Sequence, residues 1–201
     1  MAALDWQTNI VDNKAEELSL IESGKLETML ERTLVDGLTG LYDHDTLLKL
    51  LEKEIERARR YSETISLLLL DLDDFKQIND EFGHHKGDDV LAKVADIIRE
   101  GLRAMDIAGR YGGEEFAAIL PETDVTAAVQ SAERLREVIE AQFRQDIRLT
   151  ISVGITCFPC DGDEVDVLVK TADEALYQAK AEGKNRVVLA RDIMTVKAEH
   201  D

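Results

Sequence analysis

Basic residues are scarce in this chain. Its 201 residues carry 24 Lys and Arg against 42 Asp and Glu, a formal net charge of −18. A surface of that sign does not suit a nucleic-acid backbone, whose phosphates need Lys and Arg, nor an anionic membrane. A polyphosphate substrate stays open to it, provided that metal ions bridge the like charges. Cysteine is nearly absent: Cys157 and Cys160 are the only two, spaced Cys-x-x-Cys. A structural zinc site would need two further ligands that the neighbourhood does not offer. A thioredoxin-type pair would open a helix after a strand, whereas Pro159 and Asp161-Gly162 make this stretch read as a loop. Long hydrophobic runs are missing too. The longest, near Ile65 to Leu70, is far too short to span a bilayer. The start, Met1-Ala2-Ala3-Leu4-Asp5-Trp6, has neither a basic region nor an apolar core, so it does not read as a signal peptide, and the expected location is cytoplasmic. Internal repeats and low-complexity segments are also lacking. What is there, 44% hydrophobic and 33% charged residues, is the composition of one globular domain with a full core and a short extension.

Residues 1–35 differ from the rest. From Asp12 to Leu34 the apolar positions Leu18, Ile21, Met29, Leu30 and Leu34 recur at helical spacing, broken at Ser23-Gly24. A lone helix buries nothing, so this one should pack on its own domain or on a partner helix. Asp36-Gly37-Leu38-Thr39-Gly40-Leu41 is a turn-rich junction. Beyond it, over 36–192, the pattern predicts a helix Asp43–Tyr61, a strand Ile65–Leu72, a short amphipathic helix Phe75–Phe82 and a loop Gly83–Gly87. A helix Asp88–Met105, a hairpin Ile107–Leu120 and a helix Val125–Phe143 follow. A strand Ile147–Ile155, a helix Val165–Glu182 and a strand Arg186–Leu189 complete it. Residues 193–201 read as a tail. The expected class is α/β (α+β): a two-layer sandwich with a mostly antiparallel central sheet flanked by helices, preceded by the N-terminal helix.

The chemistry concentrates at two strand ends. Gly112-Gly113 suits a tight hairpin turn, since glycine accepts positive φ. Glu114 and Glu115 follow at once, then the apolar Phe116-Ala117-Ala118-Ile119-Leu120. The hairpin thus presents acid from a rigid sheet. The first strand ends Leu70-Asp71-Leu72-Asp73-Asp74, and alternation puts Asp71 and Asp73 on one face with Leu72 opposite. If strand and hairpin are neighbours, Asp71 and Glu114 meet. Two carboxylates and the Leu72 carbonyl then make a magnesium site with positions left for phosphate oxygens.

Five motifs in order resemble the diguanylate cyclase (GGDEF) family. They are Asp36-Gly37-Leu38-Thr39-Gly40-Leu41, Asp71-Leu72-Asp73-Asp74-Phe75-Lys76-Gln77-Ile78-Asn79-Asp80, Phe82-Gly83-His84-His85-Lys86-Gly87-Asp88, Gly112-Gly113-Glu114-Glu115-Phe116 and Ala175-Leu176-Tyr177-Gln178-Ala179-Lys180. The resemblance covers about residues 33 to 190. It implies a nucleotidyl-cyclase and polymerase-palm-like fold that makes cyclic di-GMP from two GTP molecules with Mg²⁺ or Mn²⁺. By resemblance Asp71, Leu72 and Glu114 hold metal, and Asp71, Glu114 and Glu115 are the catalytic residues. Asn79 and Asp88 contact guanine. That fits the chemistry: a carboxylate accepts from both donors of the guanine edge, and an amide both donates and accepts. On bare sequence the same two residues also suit helix caps. Lys180 and Lys184 reach the triphosphate, with Lys184 standing where Arg is common. Phe75, Lys76, Leu38, His84 and Gly113 complete the implied substrate-binding set. Asp43-His44 departs from the family's usual Asn-Arg.

The resemblance implies two further features. One domain holds one GTP, so the partners are GTP and a second copy in a two-fold homodimer. Arg103 and Asp106 form Arg-x-x-Asp, with five residues before Gly112, and Arg134 joins them in what the family uses as an inhibitory site for cyclic di-GMP. As bare sequence the pair is an ordinary i,i+3 couple near a helix end. The alternative function is a non-catalytic cyclic di-GMP receptor of the same fold. Retention of Glu114 and Glu115 favours the enzyme.

Overall fold

The computed structural model describes residues 34–192. The helix expected over 12–34 lies outside them except for Leu34, and the tail 193–201 lies outside them entirely. The elements run α1 (His44–Tyr61), β1 (Ile65–Leu72), α2 (Phe75–Phe82), α3 (His84–Gly101), β2 (Ile107–Arg110), β3 (Glu115–Pro121), α4 (Val125–Phe143), β4 (Ile151–Phe158), α5 (Val165–Ala181) and β5 (Val187–Leu189). The five-stranded sheet has the order β2-β3-β1-β4-β5. Every pairing is antiparallel except the parallel β4–β5.

Strand alternation sorts the core. Leu68, Leu70 and Leu72 of β1 face one way and join Phe75, Val94, Ile98, Leu135 and Ile139 of α2, α3 and α4. Ile65, Leu67 and Leu69 face the other way and join Leu47, Leu51, Leu168 and Leu176 of α1 and α5. The Leu run of β1 is therefore buried on both sides, as expected of a central strand. Asp71 has odd parity and falls on the α5 side.

Local chemistry sets the helix ends. The Asp43 and Asp124 carboxylates accept from the amides of Thr46 and Ala127 and cap α1 and α4. Several boundaries differ from expectation, two of them at residues of positive φ. The segment Gly83–Gly87 is not a loop: Gly83, at φ +84, is the whole break, and α3 starts at His84. Gly87 is helical because it packs on α2, where a Cβ would strike the Asn79 amide. Neither Asn79 nor Asp88 is a cap, since both sit inside their helices. The second difference is β4, which runs Ile151–Phe158 rather than Ile147–Ile155. Arg148, at φ +55, breaks the extended backbone before it. Cys157 consequently lies in the strand and is buried, while Cys160 is exposed beyond it, and both thiols are free.

Candidate active site at the carboxylate end of the sheet

Register brings the two acidic motifs together. Asp71 pairs across the ladder with Glu115, and the Leu72 amide donates to the Glu114 carbonyl at 3.2 Å. Asp71 is 4% exposed. Its Oδ2 lies 2.7 Å from Nζ of Lys180, in the last turn of α5. Burial raises the Asp71 pKa; Lys180 opposes that and the Asp73 charge adds to it. Glu114 and Glu115 are half-buried, and both are pushed up first by burial and then by the charge of Asp71. Among the described residues no three His, Cys, Asp or Glu side chains stand close enough to form a metal cluster. A cation here would rest on two carboxylates and main-chain oxygen.

The hairpin tip is braced from outside the site. Arg110 Nε and Nη2 donate to the carbonyls of Gly112 and Gly113 at 3.2 and 2.7 Å, and its Nη1 lies 3.1 Å from Asp36 Oδ2. Asp36 also accepts from the amide and hydroxyl of Thr39 at 2.9 and 2.7 Å, which folds the junction turn. One guanidinium thus ties the turn entering the domain to the tip carrying Glu114. Neither glycine of the tip has positive φ, contrary to expectation. What Gly112 supplies is room, since a Cβ there would collide with the Glu115 carboxylate. Arg110 was not singled out from sequence. A cation two residues before a glycine pair, able to reach its carbonyls, is the signal.

Asp73, expected on the face of Asp71, is held by hydrogen-bond donors from other segments. It is 6% exposed. Its oxygens accept from Ser152 Oγ at 2.7 Å, Thr150 Oγ1 at 2.7 Å and the Asn185 amide at 3.0 Å. It knots β1 to β4 and to the segment after α5. Asp74, at φ +58, pairs with Lys184 Nζ, and that contact holds the lysine pKa up.

The remaining residues are spread over several elements, and the register of β2 puts the turn before Ile107 toward the other end of the sheet. Phe75 opens α2 with its ring in the core, and Lys76 beside it is exposed. Asn79 is half-buried against Gly87, while Asp88 and His84 are exposed on α3. Leu38 and Gly113 are exposed in the junction turn and at the tip. Arg103 and Asp106 are not on a helical face, because α3 ends at Gly101. They close a turn in which the Arg103 amide donates to Asp106 Oδ2 at 2.8 Å and the Asp106 amide to the Arg103 carbonyl at 3.0 Å. Arg134 of α4 reaches this turn, donating to the Gly101 carbonyl at 2.9 Å. Asp106 Oδ1 is buried without a partner among the described residues. Both Arg103 and Asp106 line a cavity of about 760 Å³ whose other walls include Leu34, Tyr42 and Leu102.

Comparison with known proteins shows the family. Residues 33–186 fit the family described as diguanylate cyclase, GGDEF domain. The chain is 41% identical over 169 residues to response regulator PleD of Caulobacter vibrioides, covering 81% of this chain and 37% of PleD. It is 37% identical over 195 residues to diguanylate cyclase A of Treponema denticola, covering 94% and 52%. Among solved structures it resembles the coiled coil and GGDEF domain of DgcB from Caulobacter crescentus in complex with c-di-GMP. There the TM-score is 0.80 at 30% identity, covering 91% of this chain and 98% of that one. The chain spans about half or less of the length of these two curated relatives.

Proposed function

The chain belongs to the diguanylate cyclase, GGDEF-domain family, and from that premise we propose that it condenses two GTP molecules into cyclic di-GMP and pyrophosphate. The observation that carries this reading is the meeting of Asp71, Glu114 and Glu115 beside Lys180 at one end of the sheet. Asp71, Glu114 and Glu115 share that end with Lys180; burial pushes all three up in pKa, and the charge of Asp71 raises the two glutamates further. Such an excess of oxygen ligands over local positive charge fits a hard divalent cation. Mg²⁺ or Mn²⁺ held by Asp71, Glu114 and the Leu72 carbonyl would neutralise charge on the transferring phosphoryl group.

The chain's own residues do the rest. The guanine edge donates N1–H and its amine to the Asp88 carboxylate, and the Asn79 amide completes the reading. Lys76 and the amides after Phe75, at the start of α2, would hold the β and γ phosphates. Lys180 and Lys184, now on Asp71 and Asp74, are the cations within reach of a triphosphate. Leu38, His84 and Gly113 border the nucleotide. The 3′-hydroxyl of one GTP attacks the α-phosphorus of the other; the new O–P bond forms as the bond to the β-phosphate oxygen breaks. Glu115, opposite Asp71, would take a second cation or the hydroxyl proton. Each domain holds one GTP, so two copies meet face to face across a two-fold axis. Arg103, Asp106 and Arg134 form the inhibitory product site, where the partnerless Asp106 Oδ1 is a ready acceptor for guanine donors.

Incubation of the purified chain with GTP and Mg²⁺ or Mn²⁺, with nucleotides separated by chromatography, tests the reading. Cyclic di-GMP forms with the wild type and not with Glu114→Gln. Absence of product from the wild type in a verified dimer overturns it.

A further inference from the structure

We infer that the groove between the end of α4 and the start of β4 binds a di- or triphosphate anion through Arg144 and Arg148. The cyclase reading supplies the source of that anion, and the inference rests on it to that extent.

Position comes first. Leu72 pairs with Ile151, and the Asp73 amide donates to the Thr150 carbonyl at 2.9 Å, so residues just before β4 lie at the carboxylate end of the sheet. A cavity of about 360 Å³ opens there, lined by Glu140, Arg144, Arg148, Leu149 and Thr150. Its Thr150 wall is hydrogen-bonded to Asp73 at 2.7 Å. The next residue, Asp74, holds Lys184, the lysine assigned to the triphosphate. The groove therefore adjoins the end of the site where pyrophosphate leaves.

Charge comes second. Arg144 and Arg148 are exposed, and neither guanidinium has a hydrogen-bond or ion-pair partner among the described residues. Glu140 is the acid in the lining, and Arg136 Nη1 occupies it at 3.1 Å. Asp146 lies between the two arginines in sequence and is not part of the lining. In a chain of net charge −18 this groove is a positive exception. Guanidinium forks match phosphate oxygens in pairs, and a local positive field draws a multivalent anion.

The backbone adds an independent point. Arg148 closes α4: its amide and that of Ile147 both donate to the Phe143 carbonyl, at 2.8 and 3.2 Å. Its φ of +55 is the left-handed conformation that glycine adopts most easily at a helix end. The sequence puts a charged side chain where the backbone alone would favour none.

Titration of sodium pyrophosphate with Mg²⁺ into the chain, with no nucleotide present, tests this by calorimetry. In a Lys184→Ala background, which weakens the main phosphate site, binding persists. Adding Arg148→Gly weakens it roughly fivefold, as expected for one exposed charge contact, while the melting temperature rises because glycine fits φ +55. Arg144→Gln weakens binding by a similar factor through an unstrained helix-end residue. Unchanged pyrophosphate affinity in both variants overturns the inference. Kinetics then separate the sources. A groove serving the leaving group raises the inhibition constant for pyrophosphate at constant kcat/KM. A groove serving incoming GTP lowers kcat/KM. A chain that makes no cyclic di-GMP sinks the cyclase reading but leaves the calorimetric result standing.

Discussion

Asp71 and Asp73 lie two residues apart at the end of one strand, both nearly inaccessible, and the protein treats them in opposite ways. Asp73 accepts from two hydroxyls and a backbone amide. Asp71 pairs with Lys180, and burial first and then the charge of Asp71 hold the carboxyls of Glu114 and Glu115 up in pKa. A buried carboxylate with neutral donors on its oxygens is fixed in place and closes the structure. A buried carboxylate whose only partner is a long lysine, beside like charges, is open to exchange. The same residue type is thus left exchangeable at one position and locked into the architecture at the next but one.

The largest effect should come from the exchangeable side. Glu114→Gln or Asp71→Asn is expected to reduce cyclic di-GMP formation by roughly 10²-fold or more, in the range seen when a group stabilising transition-state charge is removed. Melting temperature should hold or rise in Glu114→Gln, because a repelling charge is gone. Loss of both activity and fold together would erase the contrast. Asp73→Ala should do the reverse. Stability falls by about 3 kcal/mol as buried donors lose their acceptor, read by urea denaturation, while the folded fraction keeps most of its turnover.

Arg110→Gln sits between the two. It leaves the ladder intact but frees the tip from the junction turn, and activity should drop about tenfold, or roughly 1.4 kcal/mol of transition-state placement. Its partner Asp36 gives a pH test. Burial raises the Asp36 pKa, but the Thr39 bonds and Arg110 outweigh it and hold the carboxyl below its ordinary 3.8. A depressed carboxyl stabilises the fold above the unfolded value and loses that contribution as pH falls through the folded one. The stabilities of wild type and Asp36→Asn should therefore differ at neutral pH and converge below about pH 4. The smallest effect separates the thiols. Burial first, then the neighbouring Cys160, pushes Cys157 up to about 11. At pH 8 a thiol reagent should modify Cys160 alone and reach Cys157 only on unfolding; equal rates would place Cys157 outside the core.

Most of the fold was legible because β1 and the helices follow clean periodicities, and the meeting of the two acidic motifs followed from neighbouring strands. Other features needed three dimensions. Gly83–Gly87 carries loop composition, yet Gly87 is small to admit Asn79, a fact of helix packing. The alternation Ile147-Arg148-Leu149-Thr150 reads as strand, and only the left-handed Arg148 reveals a helix-closing turn. The locking of Asp73 is invisible in the sequence because its donors, Thr150, Ser152 and Asn185, lie far along the chain. The Arg103–Asp106 pair has helical spacing but closes a turn, since α3 stops at Gly101. Arg110 was hidden by its position within a strand.

The placement of β1 at the centre of the sheet governs how the molecule is born. Its neighbours, β3 and β4, arrive only with Glu115–Pro121 and Ile151–Phe158. At translation rates of about 5–20 residues per second, the apolar run Leu67-Leu68-Leu69-Leu70 leaves the ribosome several seconds before its last partner strand exists. During that interval its edges are unpaired and its leucines uncovered. The nascent chain is then most exposed to aggregation and to chaperone capture, and a truncation before Ile151 would keep it there.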